Sequence, residues 1–347
     1  MHPFPDRRLS AAVVVVVGAV FVVLAVVLVP WSWVPGGHPA VVPAGQVFTP
    51  EQISRAEAYS SAQRHLSWAA YGLSALVSLV LGLTPLGSGI VRRLGGPWWW
   101  RVLLGTAVLL ALGQLVALPF AWRIHEHSRA AGLSTQGGAG WFRDLGVSLA
   151  IAWVATAIAL LVLVALARRS PRRWPLWGAL LAATLAVIGS FVWPVVVEPL
   201  FNDFHRLPAG PLRSQVLHLA DVEHVRISDV LVADASRRTT TLNAYVSGFG
   251  STRRVVLYDT LLRSTPRRQV LAVVAHELGH AAHRDVVTGT VLGAAGGAAG
   301  VGLLVAGIAA LIVLVVFALG GVIKGAFSHT CGVISAGSNG TSTSSCG

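Results

Sequence analysis

Leu271 to Asp285 reads LAVVAHELGHAAHRD, and within it His276, Glu277 and His280 fit the pattern H-E-x-x-H. On a helix, residues four apart lie on one face, about one turn along. His276 and His280 can therefore aim two imidazoles at one metal ion, with Glu277 beside the first of them. The chemistry this spacing predicts is a Zn2+ ion whose bound water loses a proton to Glu277 acting as general base. The expected metal ligands are His276 and His280, and the expected catalytic residue is Glu277. The alternative is an amphipathic helix carrying two histidines on its polar face. The apolar lead-in Val270, Leu271, Val273 and Val274 places the motif on a buried helix. Unpaired polar groups are costly there, and a metal gives them a reason to be present.

The elements around the motif must hold it in place. Residues 265–285 are expected to be helical, with Ser264 or Thr265 as N-cap and Pro266 in the first turn. Upstream, residues 211–219 read as helix, and residues 230–233, 243–249 and 255–258 as short strands. The last two strands, joined by residues 248–253, predict a hairpin or small antiparallel sheet. Residues 198–285 form the one long polar stretch, with the composition of a globular section.

The rest of the chain is apolar. Of 347 residues, 54% are hydrophobic and only 12% charged, and the mean hydropathy is +0.69. A soluble chain carries about 25% charged residues, so this is an integral membrane protein. The net charge of +12 is almost wholly arginine, Lys324 being the only lysine. These arginines flank apolar segments, which assigns them to membrane topology and argues against nucleic acid as a partner. The two cysteines, Cys331 and Cys346, form no CxxC pair.

Five apolar runs are long enough to cross a hydrocarbon core before the polar section: residues 11–29, 66–83, 102–122, 145–167 and 174–197. The first ends in Trp31 and Trp33 without an A-x-A site and reads as a span, not a cleaved signal. Between the first two lies a polar loop with a short helix over residues 51–64, capped by Thr49 with Pro50 behind it. The Gly-rich loop 134–141 reads as mobile. A sixth span follows the motif over residues 286–323, with Gly293, Gly296, Gly297 and Gly300 permitting close helix packing. Residues 324–347 are rich in Gly, Ser and Thr and read as a disordered tail. The organisation expected is thus 1–197, membrane region; 198–285, catalytic section; 286–323, sixth span; 324–347, tail.

These segments together resemble the membrane-embedded zinc metallopeptidases of the type I CAAX prenyl protease kind, in a bacterial form. The resemblance is carried by Phe48-Thr49-x-Glu51 with Arg55 and Tyr59, by Glu198 to Phe204, by Asp234 to Arg238, by Asn243 to Gly250, by Arg254 to Leu262 and by Ala275 to His280. It implies an α-helical polytopic fold of about six transmembrane helices plus a small α+β zincin-like section, in a bacterial cell membrane. It also implies a zinc endopeptidase whose site is walled by membrane helices. Asn243 and Ala244 then lie on an edge strand that pairs with an extended peptide or protein substrate. The alternative for Asn243 is a turn residue capping a strand end. For Asp234 and Ser236, capping and turn chemistry stand beside a catalytic role.

The sequence departs from that pattern at the third zinc ligand. A catalytic zinc takes three protein ligands and keeps one position open. The family's third, a Glu beyond a further span, has no counterpart, because no Glu follows Glu277. Truncation or a frameshift near residues 320–325 is the reading this suggests. His283 lies seven residues from His276, about 10 Å along a helix axis, and Asp285 is worse placed; His329 and Cys331 lie in the tail. Two further functions stay open: a catalytically impaired relative that binds peptides or membrane partners, and a transporter or channel. Against the latter, the polar residues cluster outside the spans. Two indications of orientation disagree. Arginines on alternate short loops (Arg7 and Arg8; Arg92, Arg93 and Arg101; Arg168 to Arg173) put the polar section outside, whereas the resemblance puts it in the cytoplasm.

Overall fold

The computed structural model describes residues 7–31 and 42–307. The tail and the distal half of the predicted sixth span lie outside the described residues. Helix α1 (Arg7–Leu28) is followed by α2 (Pro50–Leu83), α3 (Pro85–Arg93), α4 (Trp98–Ala130), α5 (Gly138–Arg169) and α6 (Trp174–Val192). A π-helical turn, Trp193–Val197, leads into the single turn α7 (Glu198–Phe201). Pro194 lacks the N–H that would continue a regular ladder, which accounts for the widened turn.

Five helical segments are long and apolar enough to cross a membrane: Pro50–Leu83, Trp98–Ala130, Gly138–Arg169, Trp174–Phe201 and Asp285–Leu303. Ala12–Leu28 is a shorter apolar helix. The polytopic helical architecture is as the sequence predicts. Residues 51–64 differ: they are not a separate short helix but the first turns of α2. No Gly or Pro separates Arg64 from Leu66, so a change of composition there is not a change of conformation. The start of α2 is as expected. Thr49 Oγ1 accepts from Gln52 N at 3.3 Å, and Gln52 Oε1 accepts from Thr49 N at 2.9 Å, a reciprocal capping box ahead of Pro50.

The membrane helices pack in the row α2, α4, α5, α6, then α11 (Asp285–Gly307), then α1. Helix α11 fits between α1 and α6 because it carries small residues where they touch. A Cβ on Gly296 would stand 3.2 Å from Phe21, and one on Gly302 3.3 Å from the Val14 backbone. Gly293 and Gly300 face open space, so only part of the glycine run serves close approach.

The polar section folds around a four-stranded sheet of order β1-β2-β4-β3. Its strands are β1 (Phe204–Arg206), β2 (Asp229–Ala233), β3 (Ala244–Ser247) and β4 (Arg254–Tyr258). The predicted hairpin is β3–β4, antiparallel with Ala244 opposite Leu257, whereas β2 runs parallel to β4 with Val230 opposite Val255. Helices α8 (Pro211–Val222) and α10 (Arg267–Ala282) contribute to one core with the sheet, through Val216, Val270, Val274 and Leu278 against Val230, Val255 and Leu257. A short helix, α9 (Asp259–Ser264), precedes α10. It consumes the residue predicted as N-cap: Thr265 is extended, as the residue before a proline prefers, and Pro266 itself is the N-cap of α10.

Candidate active site

Helix α10 presents two faces. Val270, Val274, Leu278 and Ala281 point into the core, and Glu277 is only 8% exposed. His276 and His280 lie on the exposed side, so the motif sits on a half-buried helix and not a fully buried one. Their Nε2 atoms are 3.1 Å apart, with the rings nearly perpendicular at a centroid separation of 4.7 Å. Two nitrogens bound to one tetrahedral zinc at ~2.05 Å stand about 3.3 Å apart. The separation is close to that of two nitrogens sharing one ion, once the proton between them is given up.

The other nitrogen of His280 is also engaged. Its Nδ1 is 2.6 Å from Asp285 Oδ2. A carboxylate accepting from Nδ1–H fixes the tautomer that leaves the Nε2 lone pair free for a metal. Asp285 gets there because the chain turns sharply after α10. Arg284 adopts φ +59°, in the left-handed region, and His283 Nδ1 donates to Gly279 O at 2.8 Å. Asp285 then opens α11 and faces back to the motif. Bonded on the Nδ1 side, it cannot share an ion with Nε2 of the same ring. Sequence spacing considered Asp285 only as a ligand; the turn at Arg284 carries the signal it missed.

Glu277 has its carboxyl pKa pushed up to about 7 by burial, against which the nearby His280 acts in the lowering direction. A carboxyl so placed sits near neutrality, suited to taking up and releasing a proton. Among the described residues no group of three or more His, Cys, Asp or Glu side chains gathers at one point. His283 is turned to Gly279, and His329 and Cys331 lie outside the described residues.

Asn243 and Ala244 stand on a different element. Strand β3 is an edge of the sheet, its only strand partner among the described residues being β4. Asn243 O accepts from Tyr258 N at 3.0 Å, one residue ahead of the strand. Ala244 and Val246 turn into the core shared with α10, which registers the edge strand against the helix that carries the motif. On the opposite face, Ser247 Oγ donates to both oxygens of Glu198 at 3.0 and 3.1 Å. Arg254 Nη2 donates to Pro194 O at 2.7 Å and lies 3.4 Å from Glu198. These contacts fasten the end of the last membrane helix before the sheet to β3 and β4.

Two further ties position the strap before β3. Ser236 Oγ and N donate to Asp259 at 2.5 and 2.8 Å, and Arg263 pairs with Asp259 at 2.9 Å. Burial pushes the Asp259 carboxyl upward, but the Ser236 hydrogen bonds and Arg263 outweigh it and hold the pKa below the usual carboxylate value. Asp234 Oδ1 accepts from Asp203 N at 2.8 Å. Both residues are thus engaged in local ties. The loop expected to be mobile is also bound. Thr135 N and Ser134 Oγ donate to Arg238 O, Thr240 N donates to Leu133 O, and Ser134 bridges Thr239. Helix α5 begins at Gly138, so the predicted loop is shorter than expected as well.

Comparison with known proteins agrees with this architecture. A family model described as peptidase family M48 matches residues 206–343, and one described as CAAX prenyl protease N-terminal, five membrane helices, matches residues 38–203. The chain is 31% identical over 243 residues to "Uncharacterized metalloprotease YhfN" of Bacillus subtilis (strain 168), covering 69% of this chain and 57% of that one. It is 40% identical over 106 residues to "CAAX prenyl protease 1 homolog" of Oryza sativa subsp. japonica, covering 30% of this chain and 24% of that one. The chain thus spans little more than half the length of the first relative and about a quarter of the second. The crystal structure of S. mikatae Ste24p superposes with a TM-score of 0.57 at 20% identity, over 82% of this chain and 69% of that one. That last likeness speaks to the fold. With its membrane helices and its sheet-and-helix section matched in tandem, the chain carries a CAAX prenyl protease N-terminal domain followed by a peptidase family M48 domain.

Proposed function

We propose that this chain is a zinc endopeptidase of a bacterial cell membrane, acting on peptides or proteins that are membrane-associated or of the CAAX type. The observation that carries the reading is the convergence of His276 Nε2 and His280 Nε2 to 3.1 Å, with Asp285 on the far nitrogen of His280. His276 and His280 hold the ion. Bound there, zinc supplies Lewis acidity toward a scissile carbonyl and the water that attacks it.

The remaining steps belong to the chain's own residues. Glu277 takes the proton from the attacking water as the oxygen–carbon bond forms. It delivers that proton to the amine nitrogen as the carbon–nitrogen bond breaks. Asp285 keeps His280 in the tautomer whose Nε2 can bind. Next to Asn243, whose carbonyl is turned to β4, the outer edge of β3 from Ala244 offers backbone groups that an extended substrate can pair with. Packing of Ala244 against the α10 core sets the distance between that edge and Glu277.

The test is hydrolysis of a quenched-fluorescence peptide by the detergent-purified chain and by Glu277→Gln. The reading expects activity in the parent, loss of at least a hundredfold in Glu277→Gln, and equal zinc in both. A second reading is favoured by one observation, the lack of a third gathered ligand among the described residues. It makes the chain a peptide-binding relative without hydrolysis. Peptide binding unchanged by Glu277→Gln, with no hydrolysis in the parent, would support it.

A further inference from the structure

The membrane region has two unlike ends. One receives the sheet and α10. The other is where α2 finishes, α3 lies, α4 starts, α5 finishes and α6 starts. At that far end Arg92 and Arg93 close α3 and Arg101 lies in the first turn of α4. Arg168, Arg169, Arg172 and Arg173 bracket the turn from α5 to α6. All seven are exposed. The sequence holds no Asp or Glu between Glu57 and Glu126, and none between Asp144 and Glu198. Among the described residues, none of the seven is in an ion pair. Their recorded partners are neutral: Arg101 Nε donates to Gly96 O at 2.9 Å, and the Arg168 guanidinium lies 5.4 Å from the Trp98 ring centre. The Arg168 contact brings the two arginine groups side by side across α4 and α5.

At the site end several arginines are paired within the chain. Arg129 pairs with Glu126 at 3.3 Å, Arg143 with Asp144 at 2.9 Å and Arg263 with Asp259 at 2.9 Å. An uncompensated cluster persists where something outside the chain neutralises it. Trp99 and Trp100, both exposed, mark this level as the membrane–water interface. Along α3 an open groove of about 330 Å³ is walled by Pro85, Leu86, Gly89, Ile90 and Arg93. It joins apolar surface to a guanidinium, the profile of a lipid's chain and headgroup. Guanidinium groups bind phosphate oxygens in a two-pronged manner, and basic residues at an anionic leaflet are drawn to its headgroups.

We propose that this arginine end is a docking surface for the phosphate headgroups of anionic glycerophospholipids, with an acyl chain lying in the groove along α3. The test uses the full chain in nanodiscs of phosphatidylcholine alone or with one third phosphatidylglycerol, read by thermal unfolding. The midpoint is expected to rise by several degrees with phosphatidylglycerol. The gain should fall by at least half in R92Q/R93Q/R172Q/R173Q and persist in R267Q/R268Q, which removes two exposed arginines at the site end. Raising salt from about 0.1 to 1 M shortens the screening length from about 10 to 3 Å and should erase the gain in the parent. That arm decides the matter if the fourfold variant does not fold. Equal midpoints in the two lipids, a gain that survives the fourfold variant, or a gain insensitive to salt would overturn the proposal. So would an equal rise from inorganic phosphate in phosphatidylcholine alone, which would make the ligand a free anion.

Discussion

The sheet-and-helix section and the membrane helices are stabilised in different ways. In the section, Val230, Val255, Leu257, Val274 and Leu278 are each 0% exposed, and charged residues are tied in pairs around that core. In the five spans, between 6% and 22% of the residues in each apolar window are buried inside the protein. Their large side chains face outward, Leu180 at 55% and Leu115 at 63% exposed. The few polar contacts between spans are local, such as Trp153 Nε1 donating to Leu103 O at 3.0 Å and Thr290 Oγ1 to Ser190 Oγ at 3.0 Å. The section excludes water with its own side chains, whereas the helices rely on lipid for most of their cover. The candidate site is carried by α10, which is packed, and not by the spans.

Substitutions can break that contrast. The largest effect is expected from Leu278→Ala, which empties a fully enclosed site beside Glu277. It should lower stability by about 2–5 kcal/mol, read by chemical or thermal unfolding in detergent. Leu180→Ala, on the outer side of α6, should cost under about 1 kcal/mol in the same assay. Equal losses would show that the spans are packed as tightly as the section. Next comes the joint between the two regions. Glu198→Ala leaves Arg254 without its carboxylate and is expected to cost about 1–3 kcal/mol. A double-mutant cycle with Arg254→Gln should show coupling of about 0.5–3 kcal/mol, and additive losses would mean the two do not communicate.

Asp285→Asn tests the support of the candidate metal site. It should weaken zinc binding by about 10–100-fold, measured by chelator competition, with little change in the unfolding midpoint of the metal-free chain. Unchanged affinity would remove Asp285 from the account. The smallest effect concerns acid. The Asp259 carboxyl is held below its ordinary value of 3.8, so the stability it confers is present above that pH and is lost as pH falls through the lower folded value. Asp259→Asn should flatten the acid limb of a stability–pH curve, and an unaltered limb would show that the Ser236 and Arg263 contacts contribute nothing.

Local features were legible in the sequence. The H-E-x-x-H spacing survives as a converged pair of nitrogens because it depends on one helix turn. The Thr49–Gln52 capping box likewise rests on residues three apart. Features made by distant residues were not legible. The three-residue β1 has too little pattern to stand out and exists because β2 pairs with it. The loop before α5 looked mobile from its glycines, yet it is held by a strap about a hundred residues further on. Asp285 was placed too far along a straight helix, and the left-handed turn at Arg284 brings it back. The same long range applies to Glu198, whose role depends on Ser247 and Arg254.

The most direct test of the account is zinc per polypeptide after detergent purification and dialysis, on the parent chain and on His276→Ala. The account predicts about one zinc in the parent and none in the variant. No zinc in the parent, or zinc that survives in His276→Ala, would contradict it.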